Sequence, residues 1–326
     1  MTSSATHDVL GIGNAIVDVL ATTDDEFLNL NKLAKGAMSL IDASRAEALY
    51  AAMRDAVEVS GGSCGNTVTG VASLGGKAAY IGKVRDDALG WTFRHDIREA
   101  GVSFDTPPSS DGPPTARCLI FVTPDAQRTM NTYLGACVTL GPEDIDAALV
   151  ASAKVTYVEG YLWDPPRAKD AVRKAFAAAH AAGREVSITL SDSFCVDRWR
   201  DEFNALIRDQ IDILFANESE ILSLYQVKTF DEALQRARAT GKIVALTRSA
   251  KGSVIVKGDE IHVVDAAKVA KVIDTTGAGD LYAAGFLYGY TRGKPLAECA
   301  RIGGVAAGEV ISHVGARPLV PLKTLI

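Results

Sequence analysis

Asp274-Thr275-Thr276-Gly277-Ala278-Gly279-Asp280, with the uncharged run Leu281 to Tyr290 behind it, decides how the rest of the chain is read. The run predicts a buried helix, and the first N–H groups of such a helix must be satisfied by something other than its own carbonyls. Gly277 and Gly279 carry no side chain to block an approaching group, so the free N–H groups and the positive end of the helix dipole form an anion site. Asp280 stands at its edge, in the first helical turn. A carboxylate there can take a proton from a hydroxyl while the anion site bears the charge developing on a transferred group. A bare Gly-x-Gly-Asp equally fits a turn whose aspartate helps to cap a helix. The length of the segment and the uncharged helix after it favour the chemical role.

Size and composition narrow the class. A chain of 326 residues predicts one large domain with a smaller appendage. Hydrophobic residues at 48% and charged residues at 23% are ordinary for a globular protein. A net charge of -6 argues against a nucleic-acid partner. No basic stretch precedes an apolar run at the start, so no secretory signal is expected, and polar breaks interrupt every apolar run short of a membrane span. Five cysteines without close paired spacing (Cys64, Cys118, Cys137, Cys195, Cys299) fit reduced thiols in the cytoplasm.

Before the signature, the first half of the chain reads as follows. His7 to Ile12 predicts a strand. Gly11 and Gly13 lack the third glycine of a dinucleotide fingerprint, because Ile16 stands there. Alternation from Asn14 to Leu20 predicts a strand with Asn14 and Asp18 on one face, a pattern that also fits two solvent-facing residues of an edge strand. Asp24 to Lys35 shows no clear period. Gly36 to Ile41 predicts a short strand and Ala43 to Val57 a helix. Gly61 and Gly62 precede a helix running to Leu74, where missing side chains let a ligand approach backbone N–H groups and Asn66 sits in the first turn. Ala78 to Val84 predicts a strand and Asp87 to Ala100 a helix. Four prolines between Thr106 and Pro114 mark a hinge. Thr115 to Thr123 and Arg128 to Tyr133 predict a hairpin about Pro124-Asp125-Ala126-Gln127. With the strands near Asn14 and Met38, they predict a small separate sheet.

From Pro142 onward helices and strands alternate. Helix Glu143 to Ser152 leads to strand Val155 to Glu159, helix Pro165 to Ala182 to strand Glu185 to Leu190, and helix Phe194 to Arg208 to strand Ile211 to Ala216. That order predicts a parallel sheet with helices on both faces, whose ligands bind beyond the carboxyl ends of the strands. Asn217 and Glu220 follow one such end, three residues apart on one helix face; the pair is also a capping box, and both roles can coexist. Strands Ile243 to Thr247 and Val254 to Lys257 flank a charged turn. Leu296 to Ser312 predicts a helix whose small residues permit tight packing.

The heptapeptide Asp274 to Asp280 closely resembles the C-terminal signature of the ribokinase-like (PfkB) carbohydrate and nucleoside kinases, and Gly61-Gly62-x-x-x-Asn66 resembles their N-terminal one. The resemblance runs from Asp18 to the helix around Gly304. It implies a ribokinase-like α/β fold: a doubly wound, mostly parallel sheet flanked by helices, with a small β-sheet lid. The expected large domain comprises 1–13, 43–112 and 138–326, and the lid 14–42 and 113–137. Asp280 is then the catalytic base, with Gly277, Ala278 and Gly279 holding the transferring phosphoryl group. Asn14, Asp18, Gly61, Gly62, Ser63 and Asn66 bind the acceptor's hydroxyls, and Leu134, Ala136 and Tyr161 flank its apolar part. Asn217, Thr247, Arg248, Gly252, Thr275, Gly277 and Gly279 bind ATP, with Asn217 and Glu220 ordering Mg²⁺. A K⁺ requirement stays open, as does the choice between monomer and homodimer. Within the family the chain is most similar to adenosine kinases, which transfer a phosphoryl group to the 5′-hydroxyl of adenosine. A kinase of a free sugar such as ribose or fructose is the alternative. Arg117 and Phe121 depart from the smaller lid residues of adenosine kinases, and the acceptor's fit is expected to be decided there.

Overall fold

The computed structural model describes residues 5–125 and 127–326, so Ala126 of the expected Pro124–Gln127 turn lies outside the described residues. The described strands, in chain order, are β1 (His7–Ile12), β2 (Ile16–Thr22), β3 (Met38–Leu40), β4 (Val57–Ser60), β5 (Ala78–Ile81), β6 (Val102–Ser103), β7 (Ala116–Val122), β8 (Arg128–Tyr133), β9 (Ala153–Glu159), β10 (Glu185–Thr189), β11 (Ile213–Asn217), β12 (Ile243–Thr247), β13 (Ser253–Lys257) and β14 (Glu260–Val264). The helices are α1 (Asp25–Leu30), α2 (Ala43–Ala52), α3 (Ser63–Ser73), α4 (Ala88–Glu99), α5 (Ala147–Ala151), α6 (Pro166–Ala181), α7 (Ser193–Asp209), α8 (Glu218–Tyr225), α9 (Phe230–Ala239), α10 (Ala278–Tyr290) and α11 (Leu296–Val310).

Two sheets result. The larger has the order β14-β13-β12-β11-β10-β9-β1-β5-β6. Its pairings from β12 through β6 are parallel, and only β13 and β14 run against their neighbours. Strands buried on both faces need near-continuous apolar sequence, which Val9–Ile12, Val155–Val158 and Ile243–Leu246 supply. Alternate residues then feed two cores. Val9, Tyr80, Tyr157 and Phe215 face α3, α4, α10 and α11. Leu10, Ile81, Val158 and Leu214 face α6, α7 and α9. Register places Glu159 beside Thr189, and Asn217 beside Thr247, along one carboxyl edge of the sheet. Among the described residues no helix is long and apolar enough to cross a membrane.

The smaller sheet has the order β3-β8-β7-β2-β4. Here the structure departs from the expected boundaries. Val57–Ser60, counted with the large domain, pairs antiparallel with β2, and α2 packs on β7 and β8, so both belong with the small sheet. The cause is local: α2 stops at Ala52 because Met53 takes an extended ψ of 134°, which frees the next residues to pair. Asp24 to Lys35 holds a short helix that its polar pattern concealed, capped where Asp24 accepts from Phe27 N–H. The expected helix Glu143 to Ser152 splits into a 3-10 turn at Pro142–Asp144 and α5.

Tight helix crossing sets where the uncharged helix can lie. A Cβ on Gly285 of α10 would stand 2.7 Å from Gly303 Cα on α11, and one on Gly303 would stand 2.6 Å from Tyr282 O. Gly303 of α11 therefore serves helix packing, while Gly304 and Gly308 face Ala267 and Val269 of the segment before α10. Since backbone is the neighbour of Gly285, nothing soft can yield. Gly285→Val should cost about 1–3 kcal/mol or more, read as a lower urea midpoint at unchanged slope; an unchanged midpoint would show that the crossing is loose.

Candidate active site

The N-terminus of α10 opens onto the carboxyl edge of the large sheet. Gly277, its N-cap, is left-handed at φ 77°, and a Cβ there would stand 2.8 Å from that of Ala316. A Cβ on Gly279 would meet nothing within 4 Å, so this glycine faces open space. The N–H of Ala278 bonds to Thr275 O, whereas those of Gly279 and Asp280 come before the first intrahelical donor, Leu281 N–H to Gly277 O, and are free at the end of the helix. A cavity of about 200 Å³ lies at this end, lined by Ser63, Asn217, Glu220, Thr247, Thr275, Gly277, Ala278, Gly279 and Asp280. These residues, from four separate segments of the sequence, thus meet at one place.

Asp280 is held from a second helix. Ser63 Oγ donates to Oδ1 at 2.6 Å and Asn66 Nδ2 to Oδ2 at 3.0 Å. Burial pushes its carboxyl above the ordinary range, while the bonds from Ser63 and Asn66 and the charge of Arg317 work the other way. A carboxylate oriented on both oxygens with raised basicity is suited to accept a proton. Asn66 is buried and its Oδ1 has no partner, an acceptor left for a hydroxyl. Sequence reasoning missed Arg317. It donates through Nε to Ser60 O at 3.0 Å and supplies positive charge to both Asp18 and Asp280, but as a lone arginine in the C-terminal tail it carries no motif.

Asp18 packs against glycine: a Cβ on Gly61 would stand 2.4 Å from its Oδ2. Gly62 is left-handed at φ 79°, and a Cβ there would stand 2.5 Å from Asn14 O. Asn14 is not on the strand with Asp18. It lies in the β1–β2 junction, with Nδ2 donating to Glu159 Oε1 at 2.6 Å. Burial pushes the Asp18 carboxyl up to about 6, against the positive charges of Arg128 and Arg317.

Register assigns the inner face of the small sheet. Asp18 aligns with Cys118 and Cys118 with Thr132, so Ile120 and Met130 share that face. Arg117 and Phe121 belong to the other face, under the helices: the Arg117 guanidinium lies 5.1 Å from the Tyr50 ring, and Phe121 lies 5.0 Å from Phe27. The expectation that these two decide the acceptor is therefore corrected. Leu134 and Ala136 fall beyond β8, in the turn Gly135–Thr139 and its cap, with Ala136 fully buried. Tyr161 is half-buried in the turn after β9, and burial raises its hydroxyl pKa, with Asp192 adding to the effect. An ion pair ties the small sheet to the segment before α10: Arg128 on β8 to Asp274, which also accepts from Gly315 N–H and Thr276 N–H, both at 3.0 Å.

Asn217 and Glu220 form the capping box in full. Asn217 N–H and Nδ2 donate to Glu220 at 2.9 and 2.6 Å, and Asn217 Oδ1 accepts from Glu220 N–H at 2.9 Å. Burial pushes the Glu220 carboxyl up to about 7, and the charges of Asp192 and Asp280 add to it. Asn217 and Glu220 both line the cavity, and an amide and a carboxylate there suit a cation held through waters, with phosphate oxygens as its direct ligands. Arg248 turns aside to pair with Glu218 at 3.1 Å. A Cβ on Gly252 would stand 2.0 Å from Val264 O, so that glycine is required by the turn itself. Thr189 and Ser191 were also missed. They line the cavity at and just past the end of β10, and Ser191 Oγ is buried without a partner; the carboxyl-edge rule for parallel sheets points to them.

Residues 32–323 match the pfkB family carbohydrate kinases. A solved adenosine kinase from Sinorhizobium meliloti is 60% identical, with a TM-score of 0.92 over 98% of each chain. A solved probable sugar kinase from Rhizobium etli is 57% identical, also with a TM-score of 0.92 over 98% of each chain. The adenosine kinase of Saccharomyces cerevisiae is 26% identical over 333 residues, covering 95% of this chain and 96% of that one.

The raised pKa of Asp18 has a sign that stability measurements can read. Its protonated form is favoured in the fold, so this stabilisation is full below the ordinary carboxylate range and is lost as pH rises to about 6. Urea midpoints of the wild type should therefore fall relative to Asp18→Asn as pH rises through that window and level off above it. A difference that stays constant with pH would contradict the assignment.

Proposed function

The chain belongs to the pfkB family of carbohydrate kinases and is an ATP-dependent kinase, and from that premise we propose that it phosphorylates the 5′-hydroxyl of adenosine. The observation that carries the chemistry is the Asp280 carboxylate, fixed by Ser63 and Asn66 at the mouth of the α10 anion site. Asp280 takes the proton of the acceptor hydroxyl as its oxygen attacks the γ-phosphorus in line. The bond from that phosphorus to the β-bridging oxygen breaks and ADP leaves. The N–H groups of Gly279 and Asp280, at the positive end of α10, carry the charge on the transferring group, with Gly277 and Ala278 shaping the turn. Asn217 and Glu220 are the residues that would hold Mg²⁺ through water, and the ion would supply neutralisation of phosphate charge. Thr247, Arg248, Gly252 and Thr275 border the nucleotide donor. The small sheet acts as a lid that excludes water, its Arg128–Asp274 pair joining it to the signature segment.

On the acceptor side, Asp18, Asn14, Gly61, Gly62, Ser63 and Asn66 take a vicinal diol. Tyr161, Met130 and Thr132 flank the base, with Leu134 and Ala136 behind them. The sugar-kinase reading draws on the Rhizobium etli relative, named a probable sugar kinase. A competition assay with ATP and adenosine, 2′-deoxyadenosine, ribose and fructose separates the two. Adenosine should show the highest kcat/KM, and 2′-deoxyadenosine should fall at least about a hundredfold below it, because a missing hydroxyl leaves buried acceptors unpaired. Asp280→Asn should lower kcat at least about a hundredfold while ATP still binds. The highest kcat/KM for ribose or fructose would overturn the adenosine assignment, and near-wild-type turnover by Asp280→Asn would overturn the base.

A further inference from the structure

Glu159, the last residue of β9, is 1% exposed, yet its carboxylate accepts from no cation in its hydrogen bonds. Oε1 takes the Asn14 N–H at 2.8 Å and Asn14 Nδ2 at 2.6 Å, and Oε2 takes the Cys64 N–H at 2.9 Å. Burying a carboxylate without a counter-charge is costly, and burial does push this carboxyl up to about 7 against those bonds. A group kept at such cost sits where two segments meet. One is the β1–β2 junction, where the chain crosses from the large sheet to the small one. The other is the first turn of α3. Its N-cap, Gly62, has no side chain to satisfy an orphan N–H group, so Glu159 does this for the Cys64 N–H from β9. The fit is close: a Cβ on Gly13 would stand 2.7 Å from Glu159 Oε2.

That same turn of α3 carries Ser63 and Asn66, which hold Asp280. Resting on the reading of Asn14 and Asp280 above, we propose that Glu159 is the positioning residue of the acceptor pocket, fixing Asn14 and the start of α3 in register with the base while touching neither substrate. Its influence passes through hydrogen bonds to groups on the acceptor side, and the nucleotide side of the cavity makes no use of it.

Glu159→Gln keeps the shape but offers one acceptor oxygen and two N–H donors, so either Asn14 or the Cys64 N–H loses its partner. The acceptor KM, measured with adenosine or with whichever sugar the competition assay selects, should rise at least about tenfold, the scale of a buried donor left unpaired. The KM for ATP should stay within about twofold. Combined with Asn14→Ala, the loss should fall well short of the product of the two single losses, because Glu159 acts in part through Asn14. A wild-type acceptor KM in Glu159→Gln overturns the proposal, as do multiplying effects in the double variant or an equal rise in both KM values. If Asp280→Asn is inactive and Glu159→Gln is kinetically normal, this inference alone fails; if Asp280→Asn turns over normally, the reading of the site fails first. Should Glu159→Gln not fold, Glu159→Asp, with the charge drawn back by one methylene, is judged by the same criteria.

Discussion

One carboxylate is shared by two helices, and the rest of the site depends on that sharing. Asp280 belongs to the first turn of α10, while both of its hydrogen-bond donors, Ser63 and Asn66, belong to the first turn of α3. Residues three apart project from one helix face, so α3 can grip both oxygens only if the helices cross closely. They do: a Cβ on Gly70 of α3 would stand 2.6 Å from Ala284 Cβ and 2.7 Å from Leu281 Cδ1. On its other side α10 is pressed against α11 through Gly285 and Gly303. The uncharged sequence of α10 follows from this double burial, because a helix packed on both sides has no polar stripe to present.

Some of the buried polar atoms left without partners belong to residues that line this cavity, hold Asp280 or pair with Asp274. Asn66 Oδ1, Ser191 Oγ and Arg128 Nε are all buried and unpaired. Such groups cost about 1–3 kcal/mol each in a protein that never engages a ligand. Around the open N-terminus of α10 they read as bonding capacity reserved for hydroxyls and phosphate oxygens. The charges divide in the same way. Burial pushes up both Asp18 and Glu220, so hydroxyl donors at one and a cation at the other would favour the charged form that burial disfavours.

Much of this was legible in the sequence where the signal is local. The anion site and its aspartate lie within one heptapeptide, the parallel sheet shows in the alternation after Pro142, and the capping box spans four residues. The long-range and face-dependent features were not legible. Glu159 meets Asn14 across 145 positions, and no local pattern announces a carboxylate that caps another element's helix. Arg117 and Phe121 were given the wrong role because side chains alternate across a strand, so only the pairing register tells which face looks at the ligand. The same register moved attention to Cys118, Met130 and Thr132. The strand Val57–Ser60 was hidden because its residues continue a helical pattern that Met53 ends only by its backbone angle.

The central claim is that Ser63 and Asn66 act on the reaction through Asp280. The most direct measurement is kcat for Ser63→Ala and Asn66→Ala, each made in the wild type and in Asp280→Asn. Both should lower kcat in the wild type and have almost no further effect once Asp280 is gone, because groups acting as one unit are non-additive. Full, multiplying losses in the Asp280→Asn background would contradict the account.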